Sequence, residues 1–271
     1  MRDHYYVIGN PIAHSKSPAI HAAFALQTGQ DLVYERCLAP QDGFAATLAA
    51  LIADGCRGAN VTVPFKLAAA ALAQTLSARA RAAGAVNTLT FADGAIAGDN
   101  TDGAGLVNDI VRNAGFSIAG KRVLLLGAGG AARGAMLPLL EQHPAQLVIA
   151  NRTRATADAL VQHFAGEGNA LSACEFADLD GPFDLVINAT SASLAQAMPP
   201  VPATVFSSTT LALDMMYGNQ PTVFMDFASQ RGATVRDGLG MLVEQAAEAF
   251  AIWRGVRPDT GEILERMRSG R

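Results

Sequence analysis

Short apolar runs and helical periods alternate along this chain, and the apolar runs tend to end at glycine, asparagine or proline. Tyr5 to Ile8 predicts a strand closed by Gly9-Asn10-Pro11, and Pro18 suits the first turn of a helix to about Gln27, with Ser17 as its natural N-cap. Val33 to Leu38 predicts a second strand and Phe44 to Ile52 a helix. In Gly58 to Lys66, alternation puts Asn60 and Thr62 on one strand face and Val61 and Val63 on the other, and Pro64 stops the strand and opens the next helix. A helix over Ser77 to Ala83 leads to a strand, Gly84 to Leu89, interrupted by Asn87, and Asp93-Gly94 reads as a hairpin turn. The polar loop Gly98 to Gly103 precedes a helix over Ala104 to Asn113 and marks a crossing between domains.

The second half repeats the alternation with more strongly apolar strands. Val123 to Leu126 is a continuous apolar run, as expected of a parallel strand buried on both faces, and Ala131 to Leu140 follows as a helix. Gln146 to Ala150 predicts the next strand, Thr156 to Phe164 a helix, Ala170 to Cys174 a weak strand and Phe183 to Ile187 a strong one. Leu211 to Asp214, a helix over Val223 to Gln230 and a short strand at Thr234-Val235 complete the set, and Asp237 to Gly240 marks a break. Beyond it, Met241 to Trp253 predicts an amphipathic helix with Leu242, Ala246, Ala249, Phe250 and Trp253 on one side and Gln245 near the edge.

With 271 residues, 50% of them hydrophobic, there is material for one large α/β domain or two smaller ones. A net charge of −4 provides no basic field for nucleic acid. No apolar run reaches the ~18 residues of a membrane helix, and the first residues lack a signal peptide's apolar segment, so a cytoplasmic protein is expected. Cys37, Cys56 and Cys174 are widely spaced, without a zinc or disulfide pattern, and are expected to be buried thiols. His14 and His21 lack metal-ligand company, which predicts packing or solvent roles.

Candidate chemistry concentrates where strands end. Gly127-Ala128-Gly129-Gly130-Ala131-Ala132 fits G-x-G-x-x-G/A between a strand and a helix, the geometry that presents free N–H groups and a positive dipole end to a pyrophosphate. The next strand ends at Asn151-Arg152-Thr153-Arg154, where an NAD site usually places an acid. Two guanidinium groups there suit a ribose 2′-phosphate, so NADP is expected over NAD. Asn188-Ala189-Thr190-Ser191 lie at another strand's carboxyl end, where open parallel sheets bind ligands. In the first half, Ser15 and Ser17 flank a lysine at a helix start and suit a small carboxylate, although Ser17 is equally read as a cap alone. Lys66 falls in a helix's first turn, where a cation opposes the dipole and so points to use as an acid, the alternative being a surface lysine snorkelling over alanines. Asn87 is a candidate hydroxyl binder. Asp102 and Thr101 would be helix caps, but their loop holds more polar groups than a cap needs.

Taken in order, S-K-S, N-V-T-V-P-F-K, A-G-A-V-N-T, G-D-N-T-D-G, the glycine turn, N-R-T, D-M-x-Y and D-G-x-G-M-L-x-x-Q-A closely resemble the shikimate dehydrogenase family over nearly the entire chain. The resemblance implies two domains: a discontinuous α/β substrate-binding domain, 1–102 with 238–271, and a doubly wound Rossmann-type NADP domain, 103–237, with the active site in the cleft between them. It implies NADPH-dependent reduction of 3-dehydroshikimate to shikimate, a step of chorismate and aromatic amino acid biosynthesis, with Lys66 and Asp102 as the catalytic pair. Ser15, Ser17 and Tyr217 would hold the substrate carboxylate side, and Asn60, Thr62, Asn87, Asp102 and Gln245 the ring hydroxyls. Gly127, Ala128, Gly129, Gly130, Ala131, Asn151, Arg152, Thr153, Arg154, Thr156, Thr190, Met215 and Gly238 match the family's cofactor positions. Three positions depart from its pattern: Thr156 stands where a basic residue is often found, Ala78 where an acid is common, and Ala192-Ser193 in place of a glycine. A paralogue that also takes quinate or uses NAD, a non-catalytic NADP-binding sensor, and a methylenetetrahydrofolate-type dehydrogenase, which would not require the S-K-S and N-T-D-G groups together, are the rival readings. Either a monomer or a homodimer is compatible with the resemblance, with a small-molecule substrate and neither nucleic acid nor membrane as partner.

Overall fold

The computed structural model describes residues 2–167 and 171–270, which divide into two compact units, Met1–Gly105 with Val243–Arg271 and Leu106–Leu242. The first unit is a mixed sheet built from β1 (Asp3–Gly9), β2 (Leu32–Leu38), β3 (Gly58–Val61), a two-residue β4 (Thr75–Leu76), β5 (Thr88–Ala92) and β6 (Ala95–Asp99), in spatial order 2-1-3-5-6-4. β1 pairs in parallel with β2 and β3, and β5 is antiparallel to both β3 and β6, the latter through the Asp93-Gly94 hairpin. Its helices are α1 (Ser17–Thr28), α2 (Phe44–Ala53), α3 (Lys66–Leu72), α4 (Ala78–Ala83) and the start of α5 (Asp102–Asn108). Ile8, Ala59 and Leu89 from the strands pack with Leu48 of α2 and Ala69 of α3 in one apolar cluster.

In the second unit α5 passes into a π-helical turn, Asp109–Asn113, and then six parallel strands follow: β7 (Arg122–Leu126), β8 (Gln146–Ala150), β9 (Leu171–Cys174), β10 (Leu185–Asn188), β11 (Leu211–Asp214) and β12 (Thr234–Arg236). Their order, 12-11-10-7-8-9, is that of a doubly wound sheet, and it reverses between β7 and β10. α6 (Gly130–Leu140), α7 (Arg154–His163) and α8 (Val223–Ser229) connect them. The run from Val123 to Leu126 is buried throughout, as a strand covered on both faces requires. α9 (Leu239–Arg254) and α10 (Gly261–Arg268) end the chain.

Several local expectations change. Ser17 is the first helical residue rather than the cap: Lys16 holds the cap position, and it is the Ser15 hydroxyl that accepts from the Ser17 N–H at 3.3 Å. The expected break is confined to Asp237-Gly238, between β12 and α9, which starts at Leu239; a Cβ on Gly240 would collide with an Asp109 carboxylate oxygen, so this glycine permits close packing inside the helix. On α9, Val243 is fully buried and Leu242 only partly, a small rotation of the apolar face. β4, two residues long, and α10, which buries Ile263 and Leu264, are not among the expected elements. The expected strand start at Ala170 lies outside the described residues. Of the cysteines, Cys56 is buried and the other two partly so.

His21 is a packing residue. It is 1% exposed, stacks on Tyr34 with ring centroids 4.0 Å apart and contacts Phe24, Phe250 and Trp253. Burial pushes its pKa down to about 3, against the opposing hydrogen bond to Asn60. The unfolded chain, with an ordinary histidine pKa near ~6.5, therefore binds a proton that the folded state refuses below that pH. Stability from this group is complete above about pH 6.5 and is lost as pH falls toward 3, at up to about 1.4 kcal/mol per pH unit. Urea unfolding between pH 6 and 4 is expected to show a shallower acid slope in His21→Phe than in the parent; equal slopes would contradict a neutral buried ring.

Candidate active site

In the first unit the ends of β3, α3, β5 and β6 converge. The Val86 N–H donates to the Lys66 carbonyl at 3.0 Å, Val61 N–H to the Asn87 carbonyl at 2.8 Å and Asn87 N–H to the Asp99 carbonyl at 3.0 Å. These backbone bonds fix the start of α3 against the residue before β5 and the end of β6. Lys66 Nζ then donates to Asp102 Oδ2 at 2.5 Å. The other Asp102 oxygen accepts from Asn87 Nδ2 at 2.8 Å, and the same amide nitrogen is 3.0 Å from Thr101 Oγ1 and 3.1 Å from Gln245 Oε1. Two hydrogens are thus divided among three acceptors, with the carboxylate nearest. Asn87 Oδ1 accepts from the Thr101 N–H at 2.8 Å and from the Thr88 hydroxyl at 2.9 Å, so the amide's orientation is determined by its partners.

A second chain of bonds continues from there. Asn60 Nδ2 donates to the Asn87 carbonyl at 3.2 Å and to Thr88 Oγ1 at 3.0 Å, while Asn60 Oδ1 accepts from the Tyr34 hydroxyl at 2.7 Å. Tyr34 is also hydrogen-bonded by Ser17, and burial, the larger effect, pushes its phenol well above the usual range. Ser17, Asn60, Asn87, Asp102, Lys66 and Gln245 are therefore joined in one network. Ser15 precedes Ser17 on the loop into α1, its carbonyl accepting twice from Arg36, at 2.6 and 3.1 Å. Thr62 follows β3 and is partly buried; a Cβ on Gly9 would fall 2.5 Å from its methyl. Tyr34 and Arg36 carry no signal in the sequence, and Thr88 and Thr101 lie in motifs that do not reveal what they bind, because each acts by holding a candidate residue.

In the second unit the turns after β7 and β10, at the reversal point of the sheet, line a cavity of about 600 Å³. Gly127, Ala128, Gly129, Gly130, Asn151, Arg152 and Thr190 line it, together with Ala189, Ser191 and Ala192. Gly127 has φ +98, which a side chain would strain, and a Cβ on Gly129 or Gly130 would meet nothing within 4 Å, so the cradle at the α6 N-terminus is open. Ala131, Thr153, Arg154, Thr156, Met215 and Gly238 are not among the lining residues. Arg154 instead faces Asp158 and Asp178, at 3.6 and 3.8 Å. Gly238 lies directly against Met215, whose carbonyl oxygen an added Cβ would strike. Tyr217 belongs to this unit as well, partly buried after β11, and burial raises its pKa.

Three family models match the chain: a shikimate dehydrogenase substrate binding domain over residues 7–89, a shikimate/quinate 5-dehydrogenase domain over 109–198 and a shikimate 5′-dehydrogenase C-terminal domain over 238–268. A relative from Herminiimonas arsenicoxydans named shikimate dehydrogenase (NADP(+)) is 64% identical, over 99% of this chain and 98% of its own. The chain belongs to the shikimate dehydrogenase family. Among solved structures, shikimate 5-dehydrogenase from Thermus thermophilus in complex with NADP(H) and shikimate is 33% identical with a TM-score of 0.88, over 99% of this chain and 100% of that one. An Ael1 enzyme from Pseudomonas putida is 48% identical with a TM-score of 0.94, covering 97% of both chains. The two-domain α/β fold of shikimate dehydrogenases, with its Rossmann-type sheet, is thus this chain's fold.

The Lys66 and Asp102 side chains in this shikimate dehydrogenase fold are 30% and 18% exposed, so water still screens the pair. Such a pair stabilises a fold by about 1 kcal/mol or less. A double-mutant cycle of Lys66→Met and Asp102→Asn in urea unfolding is expected to show coupling of that size; several kcal/mol would make the pair a structural buttress.

Proposed function

We propose that this chain catalyses the reversible NADPH-dependent reduction of 3-dehydroshikimate to shikimate, with Lys66 as general acid and Asp102 as the group that orients it. The observation that carries the residue assignment is the Lys66–Asp102 contact, with Asn87 on the opposite carboxylate oxygen. NADPH, when bound, supplies a hydride to the ketone carbon. The ketone oxygen gains the displaced electron pair, and an ammonium at Lys66 stabilises that charge and gives the oxygen a proton, leaving an alcohol. In the opposite direction the neutral amine of Lys66 takes the proton back. Asp102 keeps the ammonium in place and accepts from a ring hydroxyl, while Asn60, Thr62, Asn87 and Gln245 discriminate the remaining hydroxyls and Ser15, Ser17 and Tyr217 the carboxylate. Gln245 Oε1 shares a contested amide hydrogen and so retains acceptor capacity for a ligand.

The second unit's cavity fits NADP(H) by its donor set: free N–H groups at the start of α6, side-chain-free glycines and a guanidinium at its rim. Arg152 lines the cavity and Arg154 is engaged by two carboxylates, which favours Arg152 as the 2′-phosphate ligand. Met215 and Gly238 would act through the backbone they hold rather than by lining this cavity. No helix among the described residues is long and apolar enough to cross a membrane, and we place the reaction in the cytoplasm, by a monomer or a homodimer.

Lys66→Ala is expected to lower kcat for shikimate oxidation by roughly 10²–10⁴-fold while NADP binding, followed by fluorescence titration, stays within about twofold. Near-normal turnover would reject Lys66 as the acid. Arg152→Ala is expected to weaken NADP by about one to two decades and leave NAD unchanged, with Arg154→Ala having the smaller effect. Unchanged discrimination in Arg152→Ala would remove it from 2′-phosphate recognition. Kinetics of the parent with shikimate and quinate separate the proposed activity from that of a relaxed paralogue.

A further inference from the structure

At the carboxyl ends of β10 and β11, a fully buried carboxylate, Asp214, is surrounded by neutral donors. Its Oδ2 accepts from the Ser193 hydroxyl at 2.6 Å, the Thr222 hydroxyl at 2.6 Å and Asn188 Nδ2 at 3.2 Å, and its Oδ1 accepts from the Met216 N–H at 3.0 Å. No ion pair reaches it among the described residues. Asn188, also fully buried, donates to Ser193 Oγ at 3.1 Å as well, and its own Oδ1 accepts from the Thr190 N–H at 3.1 Å and the Thr190 hydroxyl at 2.7 Å. Thr190 Oγ1 in turn accepts from the Ala192 N–H at 3.3 Å. The network therefore runs from one carboxylate to the Ala189–Ala192 wall of the 600 Å³ cavity.

We propose that Asp214 and Ser193 are positioning residues for cofactor affinity: through Asn188 and Thr190 they hold the Ala189–Ala192 wall at the distance from the glycine turn that the dinucleotide requires. Neither residue lines the cavity, so each acts through its neighbours. Burying a carboxylate with no cation is an expensive way to join two loops, and an apolar side chain would serve stability as well. What the carboxylate supplies is acceptor capacity without any donor, which lets three side chains and one backbone N–H point at one place. An amide there would turn an NH₂ group toward those donors. Gly127 couples this wall to the opposite one, since a Cβ at that position would be 3.2 Å from both the Ala189 carbonyl oxygen and the Thr190 methyl, so a small outward shift of the wall widens the phosphate cradle directly.

This inference rests on the reading that the cavity binds NADP(H). NADPH titration of the purified full chain, followed by fluorescence energy transfer, is compared among the parent, Ser193→Ala, Asp214→Asn, the double variant and Arg152→Ala. Ser193→Ala deletes one buried hydroxyl and is expected to fold. Its Kd for NADPH is expected to rise about three- to tenfold, a partial loss of order because the carboxylate keeps its other three donors, while the KM for shikimate stays within about twofold. Asp214→Asn is expected to raise Kd at least as much, and the double variant to match it rather than multiply the two effects, because both act through one contact. A lowered melting temperature with unchanged NADPH Kd in Ser193→Ala, or equal rises in NADPH Kd and shikimate KM, would assign the network to stability alone and overturn the proposal. If Arg152→Ala weakens NADPH and Ser193→Ala does not, only the positioning role fails. If neither does, the cavity is not the cofactor site and both readings fall.

Discussion

The arrangement depends on one constraint: the Lys66 ammonium must lie against Asp102, and neither residue's own element ensures this. Lys66 opens a seven-residue helix whose dipole repels it, and Asp102 begins another helix 36 residues on. Asn87 supplies the missing restraint. Its backbone binds the end of β6 and the residue after Asn60, and its amide grips the carboxylate and Thr101 together. Because its nitrogen faces three acceptors and its oxygen accepts from the Thr101 N–H and the Thr88 hydroxyl, the amide has one orientation, and so does the carboxylate oxygen left to the lysine. An ion pair of this exposure contributes little to stability. Its geometry, and not its energy, is what the surrounding hydrogen bonds secure.

The same principle recurs in the second unit with different chemistry. The doubly wound sheet places the ends of β7 and β10 side by side, and glycine keeps the first of these turns free of side chains. The Ala189–Ala192 wall of the cavity is backed there by a buried carboxylate and a set of hydroxyls instead of apolar packing. Both centres thus place polar networks where apolar contacts would suffice for folding, and the reason is directional: hydrogen bonds specify orientation and dispersion contacts do not.

Much of this is legible in the chain because each signal is local. The apolar runs Val123–Leu126 and Leu211–Asp214 announce buried parallel strands, the glycine turn lies between a strand and a helix, and alternation puts Asn60 and Thr62 on one face. The cap near Ser17 is not legible, because serine before proline suits either the cap or the first turn, and here the hydroxyl of Ser15 reaches the Ser17 N–H. Gly240 resembles a break because glycine disfavours helices, yet packing against Asp109 requires it inside one. Tyr34 has no motif to reveal it, and the stretches that contain Thr101, Ser193 and Asp214 do not disclose what those side chains bind. Their partners are 14 to 26 residues distant in the chain, and only the folded sheets bring them together.

The most direct measurement is a crystal structure of the full chain with shikimate and NADP⁺, read for the distance between Lys66 Nζ and the substrate oxygen that becomes the ketone. A direct hydrogen bond of roughly 2.6–3.2 Å is expected, with Asp102 retaining its contact to Asn87. A shikimate whose reacting oxygen lies beyond hydrogen-bond reach of Lys66, with no water bridging the two, would contradict it.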